Sequence, residues 1–234
     1  MADDRLTPAI ELAANRNPLF PSESAEYAQA RNALLAEEIE FRRHEVRLAA
    51  QRRALPPGPV IDNDWKFKDD QGQDASLADL FGEHDTLVTY YWMFGPERER
   101  PCPMCTNILG SLNGNAVDIR QRVALKILSR SPVSRQYAFA QERGWYDLQF
   151  VQTVGDDYAK DLRLLADDGS DMAAQVVYRK DGEQIRVFWA AEAGFDTADP
   201  GEDSRLAPDW GVLWSILDLT PGGRGKDWYP RLSY

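Results

Sequence analysis

Two neighbouring segments decide the fold: Thr86-Leu87-Val88-Thr89-Tyr90-Tyr91-Trp92-Met93-Phe94 and, just after it, Pro101-Cys102-Pro103-Met104-Cys105. The first is a continuous apolar run, which suits a central strand buried on both faces. The second holds the chain's 2 cysteines, three positions apart, at the start of a helix. A bond closing so short a loop constrains the unfolded chain little, and a secreted disulfide scaffold would spread many cysteines along its length. The pair therefore reads as reactive or metal-binding, in a reducing compartment.

Downstream, Val123–Leu128 reads as a strand, Val133–Arg143 as a helix, Leu148–Thr153 as a strand and Gly155–Leu165 as an acidic helix. Gln175–Arg179 and Gln184–Trp189 are strands split by Lys180-Asp181-Gly182, a hairpin signal. A polar loop at 192–209, a helix at Trp210–Leu217 and an aromatic tail from Leu219 to Tyr234 complete the chain. Upstream, Asp64–Lys68 alternates Trp65 and Phe67 as a strand, and residues 69–72 turn. Ser76 caps a short helical turn reaching Phe81, with Asp79 at its third position. A parallel β–α–β followed by an antiparallel hairpin and a helix is the thioredoxin arrangement, an α/β fold. That fold carries its redox centre after a central strand at a helix N-terminus, where Cys102 and Cys105 stand.

Leu55-Pro56-Pro57-Gly58-Pro59 breaks the chain into a helical N-terminal segment, 1–55, and this domain, 56–234. Residues 1–21 read as a weakly patterned lead-in. From Ser22 to Arg53 there is neither glycine nor proline, so a long helix is expected, capped by Ser22 or Ser24. One stripe, Tyr27, Leu34, Phe41 and Leu48, is expected to pack on its own domain. A second, Leu35, Ile39 and Val46, is expected to contact another copy, giving a possible homodimer through residues 22–53.

The 234 residues are 43% hydrophobic, enough for a sizeable core and too apolar for a disordered polymer. A net charge of −11 argues against nucleic-acid binding, whose affinity comes from Lys and Arg releasing counterions. No apolar run approaches the ~20 residues that span a bilayer, and Met1–Pro8 has acids where a secretory signal has bases. The expectation is a cytoplasmic protein that binds neither nucleic acid nor membrane.

Further motifs carry a family likeness. Met93-Phe94-Gly95-Pro96 leading into Pro101-Cys102-Pro103-Met104-Cys105-Thr106, Leu217-Asp218-Leu219-Thr220-Pro221 and Asp227-Trp228-Tyr229-Pro230 resemble a bacterial thioredoxin-like family, domain of unknown function 899. The resemblance runs from the long helix to Leu232-Ser233-Tyr234. It implies the thioredoxin-like fold and no particular activity. Thioredoxin-like proteins usually carry a cis-proline before the hairpin, facing the cysteines. Here Met172-Ala173-Ala174 takes that place, so an ordinary trans loop is expected, and conventional docking of a disulfide substrate is put in question.

The chemistry expected of the pair is thiol–disulfide exchange. A helix N-terminus offers unpaired N–H groups and partial positive charge, which favour a thiolate. Cys102 is placed to be the nucleophile and Cys105, one turn in, the resolving thiol. Pro103 suits the first helical turn, where its missing N–H costs nothing. Arg98 and Arg100 add positive charge, which Glu97 and Glu99 oppose, and Trp92 or Phe94 is expected to line a groove beside the cysteines. Cys-Pro-x-Cys is similar to glutaredoxins, for which potentials run at about −200 to −230 mV. The expected partner is a protein or low-molecular-weight thiol or disulfide, with no cofactor. A peroxiredoxin is disfavoured, because its Pro-x-x-x-Thr-x-x-Cys would need proline at Gly95 and threonine at Glu99.

Two alternatives stand beside this reading. One is a thiolate carrier of zinc or Cu(I) through Cys102 and Cys105, with Met104 as a soft neighbour; a closed zinc site in one chain would lack ligands. The other is an interaction module whose cysteines do little. His44 and His84 read as surface residues. Asp156, Asp157 and Asp161 match no calcium loop. Ser129-Arg130-Ser131-Pro132 reads as a strand exit, and Trp228 and Tyr229 as packing for the tail.

Overall fold

A computed structural model describes residues 6–191, 219–220 and 230–232. The chain divides into two compact units, Met1–Pro56 and Pro57–Tyr234. In the first, helix α1 (Ala9–Ala14) lies against α2 (Ala25–Arg53). Ser24 caps α2, its Oγ accepting the Tyr27 N–H at 3.1 Å. Ala9 and Ala13 of α1 pack on Ile39, with Leu35 and Ala36 beside it.

This corrects the assignment of the second stripe. Leu35 and Ile39 belong to the contact with α1, and of the stripe expected to meet a second copy only Val46 is exposed. Within the first unit, Tyr27, Leu34, Phe41 and Leu48 lie on the face of α2 that α1 does not cover. The reason is the lead-in: the residues between Pro8 and Pro18 form a helix after all, and two alanines let it approach α2 closely.

The second unit is built on a sheet of seven strands among the described residues. They are β1 (Phe67–Lys68), β2 (Asp74–Ala75), β3 (Thr86–Tyr91), β4 (Ala124–Ser129), β5 (Phe150–Thr153), β6 (Ala174–Asp181) and β7 (Gln184–Ala190), in the order β2-β1-β5-β4-β3-β6-β7. β3, β4 and β5 are parallel, and β6 and β7 continue antiparallel from β3. Between them run α3 (Pro103–Asn113), α4 (Ala116–Ile119), α5 (Val133–Glu142) and α6 (Asp157–Asp161). A central parallel β3–α3–β4 unit flanked by the β6–β7 hairpin is a thioredoxin-like α/β fold. Gly182, at φ 63°, makes the hairpin turn, a backbone region open to glycine without steric cost.

Side-chain alternation along β3 serves two cores. Leu87 and Tyr91 join one cluster with Phe67, Phe81, Leu128 and Tyr178. Tyr90 joins the other with Cys105, Leu109, Ile127, Phe139 and Phe150. Ser76 and Asp79 form the expected reciprocal cap, the Ser76 N–H donating to Asp79 at 2.8 Å.

Several boundaries differ from expectation. The strand expected over Asp64–Lys68 pairs only at Phe67–Lys68, and β2 joins it unforeseen. The acidic helix stops at Asp161 because Arg163 takes φ 57° and the chain doubles back through the Leu165–Asp171 bridge. The expected loop at 192–209, the helix at Trp210–Leu217, and Trp228 and Tyr229 lie outside the described residues. Among those described, no helix is long and apolar enough to cross a membrane.

Candidate functional site

β3 ends at Tyr91; the Trp92 N–H still donates to Leu128 C=O of β4 at 2.7 Å, and from Met93 onward the backbone serves the cysteines. Met93 C=O accepts the Cys102 N–H at 3.1 Å, and the Met93 N–H favours a thiolate on Cys105. Cys102 is the N-cap residue of α3, with extended backbone (φ −60°, ψ 127°), and its C=O accepts from the Thr106 N–H at 3.0 Å and the Thr106 hydroxyl at 2.9 Å. Pro103 fills the first helical position, where no N–H is needed. Both cysteines are free thiols; Cys102 is half-buried and Cys105 is buried.

The two sulfurs have opposite electrostatic environments. Cys102 is held down to about 6, first by the Cys105 S–H donating to its anion, then by the N–H groups of Cys105 and Met104 and the charge of Arg98, all against burial. Cys105 is pushed well up, first by that same hydrogen bond and then by burial; the Tyr90 hydroxyl and the Met93 N–H oppose the shift. Tyr90, on the same face of β3, is itself pushed up by burial and by the neighbouring sulfur, so it remains a hydroxyl donor. From sequence Tyr90 reads as plain core, since an apolar run does not reveal which hydroxyl meets a sulfur.

The segment between β3 and α3 is anchored along its length. Phe94 C=O accepts the Ser129 hydroxyl at 2.7 Å. The Gly95 N–H donates at 2.8 Å to Asp171, a carboxylate only 2% exposed. Asp171 also accepts from the Tyr91 hydroxyl at 3.1 Å and from Arg130 Nε at 2.8 Å. Arg130 continues to Asp156 at 3.0 Å and to Gly169 C=O at 3.1 Å. From the other side, the Arg135 guanidinium donates to the carbonyls of Gly95, Arg98 and Glu99 and lies 4.4 Å from the centre of the Phe94 ring. Arg130, Arg135 and Asp171 carry no site signal in the sequence; their spacing matches no motif.

Of the positions expected to support the cysteines, Pro103 lies in the first turn of α3. Arg100 is engaged by Glu142 (2.7 and 3.2 Å) and stacks 4.8 Å over Phe139, so Arg98 supplies the charge felt by Cys102. Trp92 is fully buried among Phe94, Phe139, Trp145 and Phe150. Phe94 is buried too, so neither walls an open groove as expected; both back the site as core. Ala173 packs on the same cluster as Cys102, and no peptide bond among the described residues is cis, as expected for Met172-Ala173-Ala174.

His84 precedes β3, at the end opposite the cysteine loop, and His44 lies exposed on α2. Asp156 is paired with Arg130 and Lys160, while Asp161 accepts from Asn63 and Trp65. Among the described residues no group of three or more His, Cys, Asp or Glu is arranged to hold a metal ion.

Solved structures resemble the chain only distantly. Peroxidoxin BcpB from Mycobacterium tuberculosis is 18% identical, with a TM-score of 0.45 over 59% of this chain and 86% of that one. A cysteine-to-serine mutant of PrxQ from Xylella fastidiosa is 12% identical, with a TM-score of 0.46 over 60% and 89%. The exposed lipoprotein thioredoxin Etrx1 of Streptococcus pneumoniae strain TIGR4 is 12% identical, with a TM-score of 0.39 over 57% and 90%. No curated protein is similar in sequence. Residues 18–234 match the family described as bacterial protein of unknown function (DUF899), and the chain belongs to that family.

Proposed function

We propose that this protein is a cytoplasmic thiol–disulfide oxidoreductase with Cys102 as nucleophile and Cys105 as resolving thiol. The observation that carries the reading is the asymmetry of the pair: a half-buried sulfur at a helix N-terminus, favoured as thiolate, beside a buried sulfur favoured as thiol. The Cys102 thiolate attacks one sulfur of a protein or low-molecular-weight disulfide, forming a mixed disulfide and releasing the other sulfur as thiolate. Cys105 then attacks Cys102 Sγ. The Cys102–Cys105 bond forms, the bond from Cys102 to substrate breaks, and the departing thiolate takes up the proton Cys105 gives up. Two electrons pass from the dithiol to the substrate disulfide.

Stabilising the Cys102 thiolate favours the reduced pair, so the expected potential lies between about −200 and −250 mV, above the value near −270 mV of thioredoxin. Thiol counting by mass spectrometry before and after mild oxidation tests the assignment. A loss of two hydrogens per chain, abolished in Cys105→Ser, supports it. Stoichiometric zinc or copper on the purified protein would move the reading to a metal carrier, and thiols inert to the oxidant would leave an interaction module.

A further inference from the structure

The pair's buried half has a partner that thiol–disulfide exchange alone does not call for. Tyr90 sits on the face of β3 that meets α3, 2% exposed, with its hydroxyl against the sulfur of Cys105, itself 2% exposed. The titratable groups that act most strongly on Cys105 are Cys102 and Tyr90. The resolving step needs negative charge on Cys105 as it attacks Cys102 Sγ, at a position closed to solvent. A buried sulfur anion there must be met by donors the fold supplies. Two point at it: the Met93 N–H and the Tyr90 O–H.

Resting on the redox reading above, we propose that Tyr90 is a catalytic residue of the resolving step, donating its hydroxyl hydrogen bond to the Cys105 sulfur as that sulfur becomes the attacking thiolate. The proton lost by Cys105 leaves on the substrate thiol; Tyr90 keeps its own. Once Cys105 enters the disulfide its charge is gone and the donor's contribution falls, so Tyr90 favours the attack more than the product.

The test uses Tyr90→Phe, which keeps the ring and removes the hydroxyl. Glutathione disulfide is added to the reduced protein, and the Cys102–glutathione mixed disulfide is followed by acid quench and mass spectrometry. Loss of a hydrogen bond to a charged group is expected to prolong the mixed disulfide at least tenfold. In a Cys102→Ser background, thiolate absorbance at 240 nm should show the Cys105 transition moved upward by one pH unit or more when Tyr90 is replaced. A folded variant whose mixed disulfide clears at the unsubstituted rate overturns the role of Tyr90 and leaves the redox reading standing. An unsubstituted chain that never takes up glutathione overturns both. Should Tyr90→Phe fail to fold, replacing all tyrosines by 3-fluorotyrosine strengthens the same donor and should shorten the mixed disulfide's life; no change there also refutes the proposal.

Discussion

Asp171→Asn is the sharpest probe of how the cysteine loop is held. The carboxylate is buried and accepts from three donors: the Gly95 N–H, the Tyr91 hydroxyl and Arg130 Nε. The amide keeps the shape but turns one acceptor into a donor, which must face a donor already present. Breaking a buried ion pair by removing one charge costs about 3–5 kcal/mol, because the other charge stays behind. Arg130 retains Asp156 and the Gly169 carbonyl and is 10% exposed, which places the loss at the low end, about 3 kcal/mol. With a urea m-value of about 2–3 kcal/mol/M, the midpoint should fall by about 1–1.5 M, read by tryptophan fluorescence. The same variant frees Gly95, two residues beyond Met93, so the Cys102 alkylation transition should also rise toward that of an ordinary thiol. A loss below about 1 kcal/mol at unchanged m, with Cys102 alkylating as before, would refute the claim that Asp171 anchors the loop.

Three further outcomes follow from the same geometry. With its transition near pH 6, Cys102 should lose only about tenfold in iodoacetamide rate between pH 7 and pH 5, where an ordinary thiol loses about a hundredfold, and Cys105 should stay nearly silent. Because the folded thiol is depressed, its contribution to stability is full above the ordinary thiol pKa and is lost as pH falls through about 6, so the acid limb of a stability profile should flatten in Cys102→Ser. Gly95→Ala places a methyl 2.3 Å from the Asp171 carboxylate and 3.0 Å from Arg130, and should destabilise by about 1–3 kcal/mol in thermal or urea unfolding.

What sequence reading could reach is set by the range of each signal. Local chemistry was legible: the Ser24 cap, the Ser76–Asp79 reciprocal cap, the Lys180-Asp181-Gly182 hairpin and the strand-to-helix setting of Cys102. These depend on residues within a turn or two of one another. The short α1 was not, because six residues between prolines offer too little period to distinguish helix from lead-in. Nor was the long helix's packing face: its two stripes look alike until α1 covers one. The anchors of the cysteine loop were out of reach for another reason. Arg130 reaches the loop through the parallel β3–β4 register and Asp171 through the antiparallel β3–β6 register, and a lone buried carboxylate reads in sequence like a surface acid.

The fastening of residues 93–99 has a consequence for what the protein can admit. Gly95 hangs on one side from Asp171, which Arg130 holds in turn, and Arg135 of α5 holds three of the segment's carbonyls on the other. The loop thus shares the opening free energy of the sheet and of α5, and it does not fray as a surface connection would. Little ordering entropy is then spent at Cys102 when a substrate arrives, and little adaptation is on offer. Selectivity falls to the visitor: a disulfide must reach a fixed, half-covered sulfur along the line that its own shape permits. Flexible or small disulfides meet that demand, and a rigid, recessed one does not.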